Sequence, residues 1–275
     1  MALVCLVTIA LLRGGEPSNL FNNQKVTGDA AADKWKYDPV RYWPAQGHID
    51  FLAYAPYKDG TTLTGSKINF DVADQTDLLW ANATNTTKND GIVTFRFNHA
   101  LSRLGYSVKL KEAVSESVAT ITLKKITLAG SSDGTKNAFY KTGTIDLSQE
   151  NATNLWDTSS SNSNETKKNF ELVSNKTISN AEIKNTDNEY LFVIPQDFKT
   201  GTDELYVVVE YTIEYKTGSA KPTVSYNVSQ KLPYNFEQGK AYTLNLTIGL
   251  TPIEFNADVT GWDPITGTAI DIPLE

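Results

Sequence analysis

Apolar residues recur at every second position along much of the chain. In AYTLNLTIGL, Tyr242, Leu244, Leu246, Ile248 and Leu250 share one side, while Ala241, Thr243, Asn245 and Thr247 share the other. That is the period of a half-buried β-strand. The same grammar places Val207, Val209, Tyr211, Ile213 and Tyr215 together in LYVVVEYTIEY. It groups Val93, Phe95 and Phe97 in GIVTFRFN, Ile68, Phe70 and Val72 in KINFDV, and Tyr106, Val108 and Leu110 in GYSVKL. YLFVIP is apolar throughout, which suits a strand buried on both faces and ended by Pro195. Helical spacing is confined to NHALSRLG, where Asn98 suits an N-cap and Gly105 a C-terminal stop. Short strands between Gly, Asn, Asp and Pro turns predict an all-β sandwich protein with at most one or two short helical turns.

Two switches of phase refine this picture. In ITLKKITL the apolar set moves from Ile121 and Leu123 to Ile126 and Leu128, which predicts a bulge near Lys124-Lys125. Across Pro252 it moves from even positions to Ile253, Phe255, Ala257 and Val259, as in a strand that bends or changes sheet. Polar stretches at 81–91 and 157–169 read as a domain boundary and a surface loop. The expected division is an N-terminal β-sandwich domain over 1–90 and a C-terminal one over 91–275. Near the start, Leu3 to Leu12 is an apolar run too short to span a bilayer. It reads as a buried strand followed by a turn at Gly14-Gly15; a degenerate export signal is the alternative.

At 275 residues the chain is long enough for two β domains with a core that needs no disulfide. A net charge of −7 and the absence of a basic stripe argue against nucleic acid as a partner. Cys and Met occur once each in an Asn- and Thr-rich chain, which suits life outside the cell. Cys5 has no intramolecular partner, so neither a disulfide framework nor a zinc site is expected.

Catalytic chemistry finds no foothold. His48 and His99 are the two histidines; neither lies near a nucleophile elbow, and His99 reads as a helix-start or packing residue. SSDGTKN lacks the carboxylate ladder of a calcium loop, so Asp133-Gly134 reads as a turn. No catalytic, cofactor or metal residue stands out, and an enzyme is not expected. Sequons at Asn82, Asn151, Asn175, Asn227 and Asn245 are of the number an Asn/Thr-rich chain produces by chance. The densest aromatic run is KWKYDPVRYWP at 34–44. Its rings could stack on a sugar or base, or form a hairpin that covers the open end of a sandwich core.

WKYDPVRYWP followed by HIDFLAYAPY resembles the Bacteroidales fimbrillin family, the Mfa-like subunits of type V pili. Further matches follow in order: TDLLWA, VTFRFNHALSRLGYSVKL, ITLKKITLAG, YLFVIPQ and GKAYTLNLTIGLTPIEFNADVTGWD. The resemblance runs from Trp35 almost to the C-terminus. It makes Trp35, Tyr37, Tyr42, Trp43 and Trp262 structural signature residues. It implies two transthyretin-like β-sandwich domains and a non-enzymatic subunit of a surface fimbrium, as stalk, anchor or tip. Such proteins are exported as lipoproteins and trimmed by a trypsin-like protease, which removes an N-terminal strand. A C-terminal strand from a neighbouring subunit fills the groove. The expected partners are other pilus subunits, with a host glycan or protein receptor as a further candidate. Ile270, Ile272 and Leu274 alternate with polar residues and Pro273, as in a donor strand; a frayed tail is the alternative. Arg13 could be the processing site or a hairpin residue. A monomeric glycan-binding or tip-adhesin module is the competing reading.

Overall fold

The computed structural model describes residues 3–11, 18–29, 34–88, 93–149, 155–158, 167–186, 189–249, 254–261 and 267–270. They form an all-β protein whose strands divide between two compact units. The first unit comprises residues 1–100 and 142–160, and the second 101–141 and 161–275. Each draws chain from two places.

The first unit pairs a six-stranded sheet with a four-stranded one. The larger sheet runs Lys34–Lys36, Ser18–Asp29, Leu3–Leu11, His48–Ala55, Leu79–Thr86 and Asn98–His99. The smaller runs Trp156–Asp157, Thr142–Asp146, Lys67–Asp71 and Leu63–Thr64. His48–Ala55 is apolar at most positions because both of its faces are covered. On one face Tyr54 shares a cavity of about 240 Å³ with Ile68, Phe70 and Leu78. Asn82, opposite Leu52, donates to the carbonyls of Leu147 and Gln149 at 3.0 and 2.7 Å. On the other face Phe51 and Ala53 join Phe21, Val26, Ile49 and Ala81 in one cluster.

The second unit has a four-stranded sheet of Phe170–Ile178, Ala119–Ala129, Tyr206–Tyr215 and Thr223–Lys231. A six-stranded sheet contains Ser102–Leu110, Lys240–Ile248, Glu254–Gly261 and Gly267–Ile270, with Ile183–Lys184 and Leu191–Val193 beside Ser102–Leu110. The expected bulge is present: pairing with Tyr206–Tyr215 jumps between Leu123 and Lys125, which lets Leu123 and Ile126 both face inward. Lys176 bridges the sheets, 2.6 Å from the Tyr106 hydroxyl. Phe139 sits in an aromatic cluster, edge-on to Phe170 and Phe198 at 5.4 and 5.2 Å.

Three local expectations change. NHALSRLG forms no helix. Asn98 and His99 pair with Trp80 and Leu79, and Ser102–Leu110 is a strand that buries Ser102, Leu104, Tyr106 and Val108. Tertiary pairing outweighs the local cap signal here. The helical turn among the described residues lies elsewhere, at Val72–Asp74, where Asp71 caps the Ala73 amide at 2.8 Å. The phase switch falls between two strands of one sheet and so marks no change of sheet, while Pro252 itself lies outside the described residues. Lys240–Ile248 and Glu254–Gly261 are antiparallel neighbours in a register that sets Leu246 opposite Phe255 and Leu244 opposite Ala257, so even positions of one share a face with odd positions of the other and the phase reverses. Residues 93–97 form no strand, although Val93, Phe95 and Phe97 pack on the first unit's core.

Candidate assembly interface

Leu3–Leu11 lies inside the six-stranded sheet and is paired on both sides. Against His48–Ala55 it keeps an unbroken antiparallel register from Cys5↔Tyr54 to Leu11↔His48. Against Ser18–Asp29 the register slips twice, between Leu6 and Thr8 and between Thr8 and Ile9. Asn23 of that neighbour adopts a left-handed φ of 50°, which Asn tolerates better than most residues. One flank of this strand is thus a regular ladder and the other an irregular one.

Its two neighbours are also joined to each other. The Tyr54 hydroxyl donates to Asn23 Oδ1 at 2.6 Å, and Asn23 Nδ2 donates to the Lys58 carbonyl at 3.2 Å. Gln24 reaches the Asp38 carbonyl at 3.0 Å and so ties the aromatic segment to the sheet. Periodicity gave no sign of this clamp, because Asn23 sits where the strand departs from regular geometry.

The aromatic segment covers the core. Tyr37 is half-buried and edge-on to Phe21 at 5.1 Å; Trp43 is half-buried and edge-on to Phe51 at 5.5 Å. Phe95 meets Phe51 from the second covering segment at 6.4 Å. Tyr42 is 84% exposed and Val40 63%, so the two ring pairs part company: Tyr37 and Trp43 pack, and Tyr42 meets solvent. Trp35 pairs through its backbone with Gly28. Ile270 pairs with Ala257 at the end of its sheet. Arg13, Trp262, Ile272 and Leu274 lie outside the described residues.

Other polar groups serve the fold. His99 Nδ1 lies 2.8 Å from Asp77 Oδ2, holding Asn98–His99 against the chain that precedes Leu79. Asp133 accepts from the Thr135 amide and hydroxyl at 3.1 and 2.8 Å and closes a turn with Gly134 at φ 78°. Among the described residues no three His, Cys, Asp or Glu side chains gather as a metal site. None of the described helices is long and apolar enough to cross a membrane. An open cleft of about 530 Å³ lies where residues 58–62 diverge from Asn69–Asp71 and Thr142–Thr144. Its walls carry Lys58, Thr61, Asn69, Asp71 and Thr144, with Phe70 as the aromatic member.

The fold recurs in solved structures. A fimbrial protein from Bacteroides vulgatus matches with a TM-score of 0.71 at 20% identity, over 95% of this chain and 92% of that one. A candidate cell adhesion protein from Bacteroides uniformis matches at 0.52 and 18% identity, over 94% and 91%. At these identities the likeness establishes the fold. Among curated proteins none matches the chain. The family is given by the sequence itself: residues 9–262 match the fimbrillin-like family, and the chain belongs to it.

Proposed function

We propose that this protein is a non-enzymatic cell-surface fimbrial subunit that joins other pilus subunits by exchanging strands. The observation that carries the reading is the position of Leu3–Leu11, paired on both sides between Ser18–Asp29 and His48–Ala55. Arg13 follows that strand by two residues. Cleavage there would release it, leaving two rows of backbone donors and acceptors facing an empty slot. An incoming strand would satisfy both rows, since main-chain pairing supplies affinity without a particular sequence. The Asn23–Tyr54–Lys58 clamp would hold the slot's walls together meanwhile, lowering the ordering cost of entry. The tail through Ile270, Ile272 and Leu274 is the proposed donor, with Ile270 leaving its pairing with Ala257 on donation. A head-to-tail contact of this kind does not close on itself and yields a filament.

The test is limited trypsin digestion with intact-mass analysis, followed by electrophoresis in SDS without boiling. Loss of residues 1–13 together with SDS-resistant multimers is expected. Deleting residues 264–275 or making Arg13→Ala abolishes the multimers. Equal assembly by the deleted form would refute the donor assignment.

A second reading, adhesion through a glycan, is favoured by the 530 Å³ cleft, whose hydroxyl, amide and carboxylate groups surround one aromatic ring. Glycan-array binding lost in Asn69→Ala or Asp71→Asn, with the multimers unchanged, would support it.

A further inference from the structure

Sheets that end in a long bare strand invite pairing with another chain, and most proteins blunt such ends. The end strands of the described sheets are four residues or fewer, apart from two in the second unit's four-stranded sheet. Phe170–Ile178 is blunted: it carries Glu171 and Lys176, a left-handed Asn175 at φ 49°, and a register shift against its neighbour. Thr223–Lys231 has none of these protections. Its nine pairs with Tyr206–Tyr215 run without a slip; Lys221 and Pro222 stand just before it, but within the strand there is no proline and the one charge is the terminal Lys231, which is held by Glu204 at 2.7 Å. Among the described residues no strand pairs with its outer side.

Its side chains repeat the message. Val224, Tyr226 and Val228 stand opposite Ile213, Tyr211 and Val209, which are buried, yet they are themselves only half-covered. Tyr226 lies flat on Tyr211, with ring centres 4.8 Å apart and planes within 9°. The core's apolar layer thus runs to the sheet's end, where it is only half-covered. The stretch Val224-Ser225-Tyr226-Asn227-Val228 is also symmetric about Tyr226. Turned antiparallel upon itself, it sets Val against Val, Tyr against Tyr, and the polar Ser225 against the polar Asn227. Within these five positions nothing charged is brought into opposition; beyond them the same register sets Lys231 against Lys221 at either end.

We infer that Thr223–Lys231 is a docking edge for a second copy of this chain, paired antiparallel about a two-fold axis through Tyr226. The contact is isologous and closes after two copies. It is therefore distinct from head-to-tail strand exchange, and in an assembled filament it would join subunits side by side.

The test uses the full-length chain in sedimentation velocity across a concentration series. A concentration-dependent dimer is expected, one that SDS disperses and that survives deletion of residues 264–275; strand-exchanged multimers behave oppositely on both counts. Ser225 and Asn227 are exposed, so both can be replaced without disturbing the core. The S225K/N227K double variant places lysines opposite one another twice and weakens the dimer at least fivefold. The S225E/N227K variant places Glu opposite Lys twice and restores it. In a Cys5→Ser background, oxidation links copies of Tyr226→Cys but not of Val224→Cys or Val228→Cys, because only position 226 meets itself. A chain that stays monomeric, a dimer indifferent to S225K/N227K, or equal cross-linking at all three positions would overturn the inference.

Discussion

Gly105→Ala isolates a contest between two opposing effects. Gly105 sits inside Ser102–Leu110, where a glycine ordinarily weakens a strand. Restricting the unfolded chain would by itself stabilise the alanine variant by about 0.4–1 kcal/mol. The tertiary setting opposes this. A β-carbon at 105 would lie 2.5 Å from Asn185 Oδ1 and 2.8 Å from Tyr190 Cε1. Neither neighbour is free to swing away. Asn185 Oδ1 accepts the Tyr106 amide at 2.9 Å, and its Nδ2 donates to the Thr186 carbonyl. Tyr190 is stacked beneath the Arg103 guanidinium, 4.2 Å from the ring centre. Overpacking costs about 1–3 kcal/mol, and loss of the Asn185 bond adds about 1 kcal/mol. The net expectation is a loss of about 2–3 kcal/mol in the second unit. Urea unfolding measures it, and hydrogen exchange should show the Tyr106 amide losing protection. In an Asn185→Ala background the same substitution should cost at least about 1 kcal/mol less. A Gly105→Ala protein as stable as the parent would refute the argument from close approach.

Trp43→Ala should destabilise the first unit by about 2 kcal/mol through loss of its packing on Phe51, while Tyr42→Ala should stay within about 0.5 kcal/mol; thermal melts of both variants distinguish the packed ring from the exposed one. The Tyr242 phenol is pushed up to about 12, chiefly by burial, against the hydrogen bond it accepts from the Glu237 amide. Folding therefore retains its proton, so its contribution is intact below pH 10 and falls by about 2 kcal/mol by pH 12, with the rest lost above it; Tyr242→Phe should flatten that limb of the stability curve. The Glu189 carboxyl is held below its ordinary range mainly by hydrogen bonds from Lys176. Its stabilisation is present above that range and lost as pH falls through it. Both partners are about one-third exposed, so screening keeps the effect small, and Glu189→Gln should make the acid limb slightly shallower in pH-dependent unfolding.

Alternation and turn chemistry were enough to read an all-β protein, the bulge at Lys124-Lys125 and most of the core rows, because they depend on neighbours in sequence. Ordered aromatic and apolar motifs carried the family. What sequence could not decide was partnership at a distance. NHALSRLG carries good local helix signals, and only pairing with Leu79–Trp80 and burial of Leu104 and Tyr106 make it extended. The reversed phase at Pro252 fits a bend as well as a hairpin until Thr247 is seen beside Glu254. Residues 142–160 return to the first unit because Thr142–Asp146 pairs with Lys67–Asp71, a choice between many strands of equal propensity. The place of Leu3–Leu11 inside its sheet is of the same kind. A period of two says that a strand has an inner face, but hydrogen bonds run sideways from it and carry no trace of their partner in the side-chain pattern.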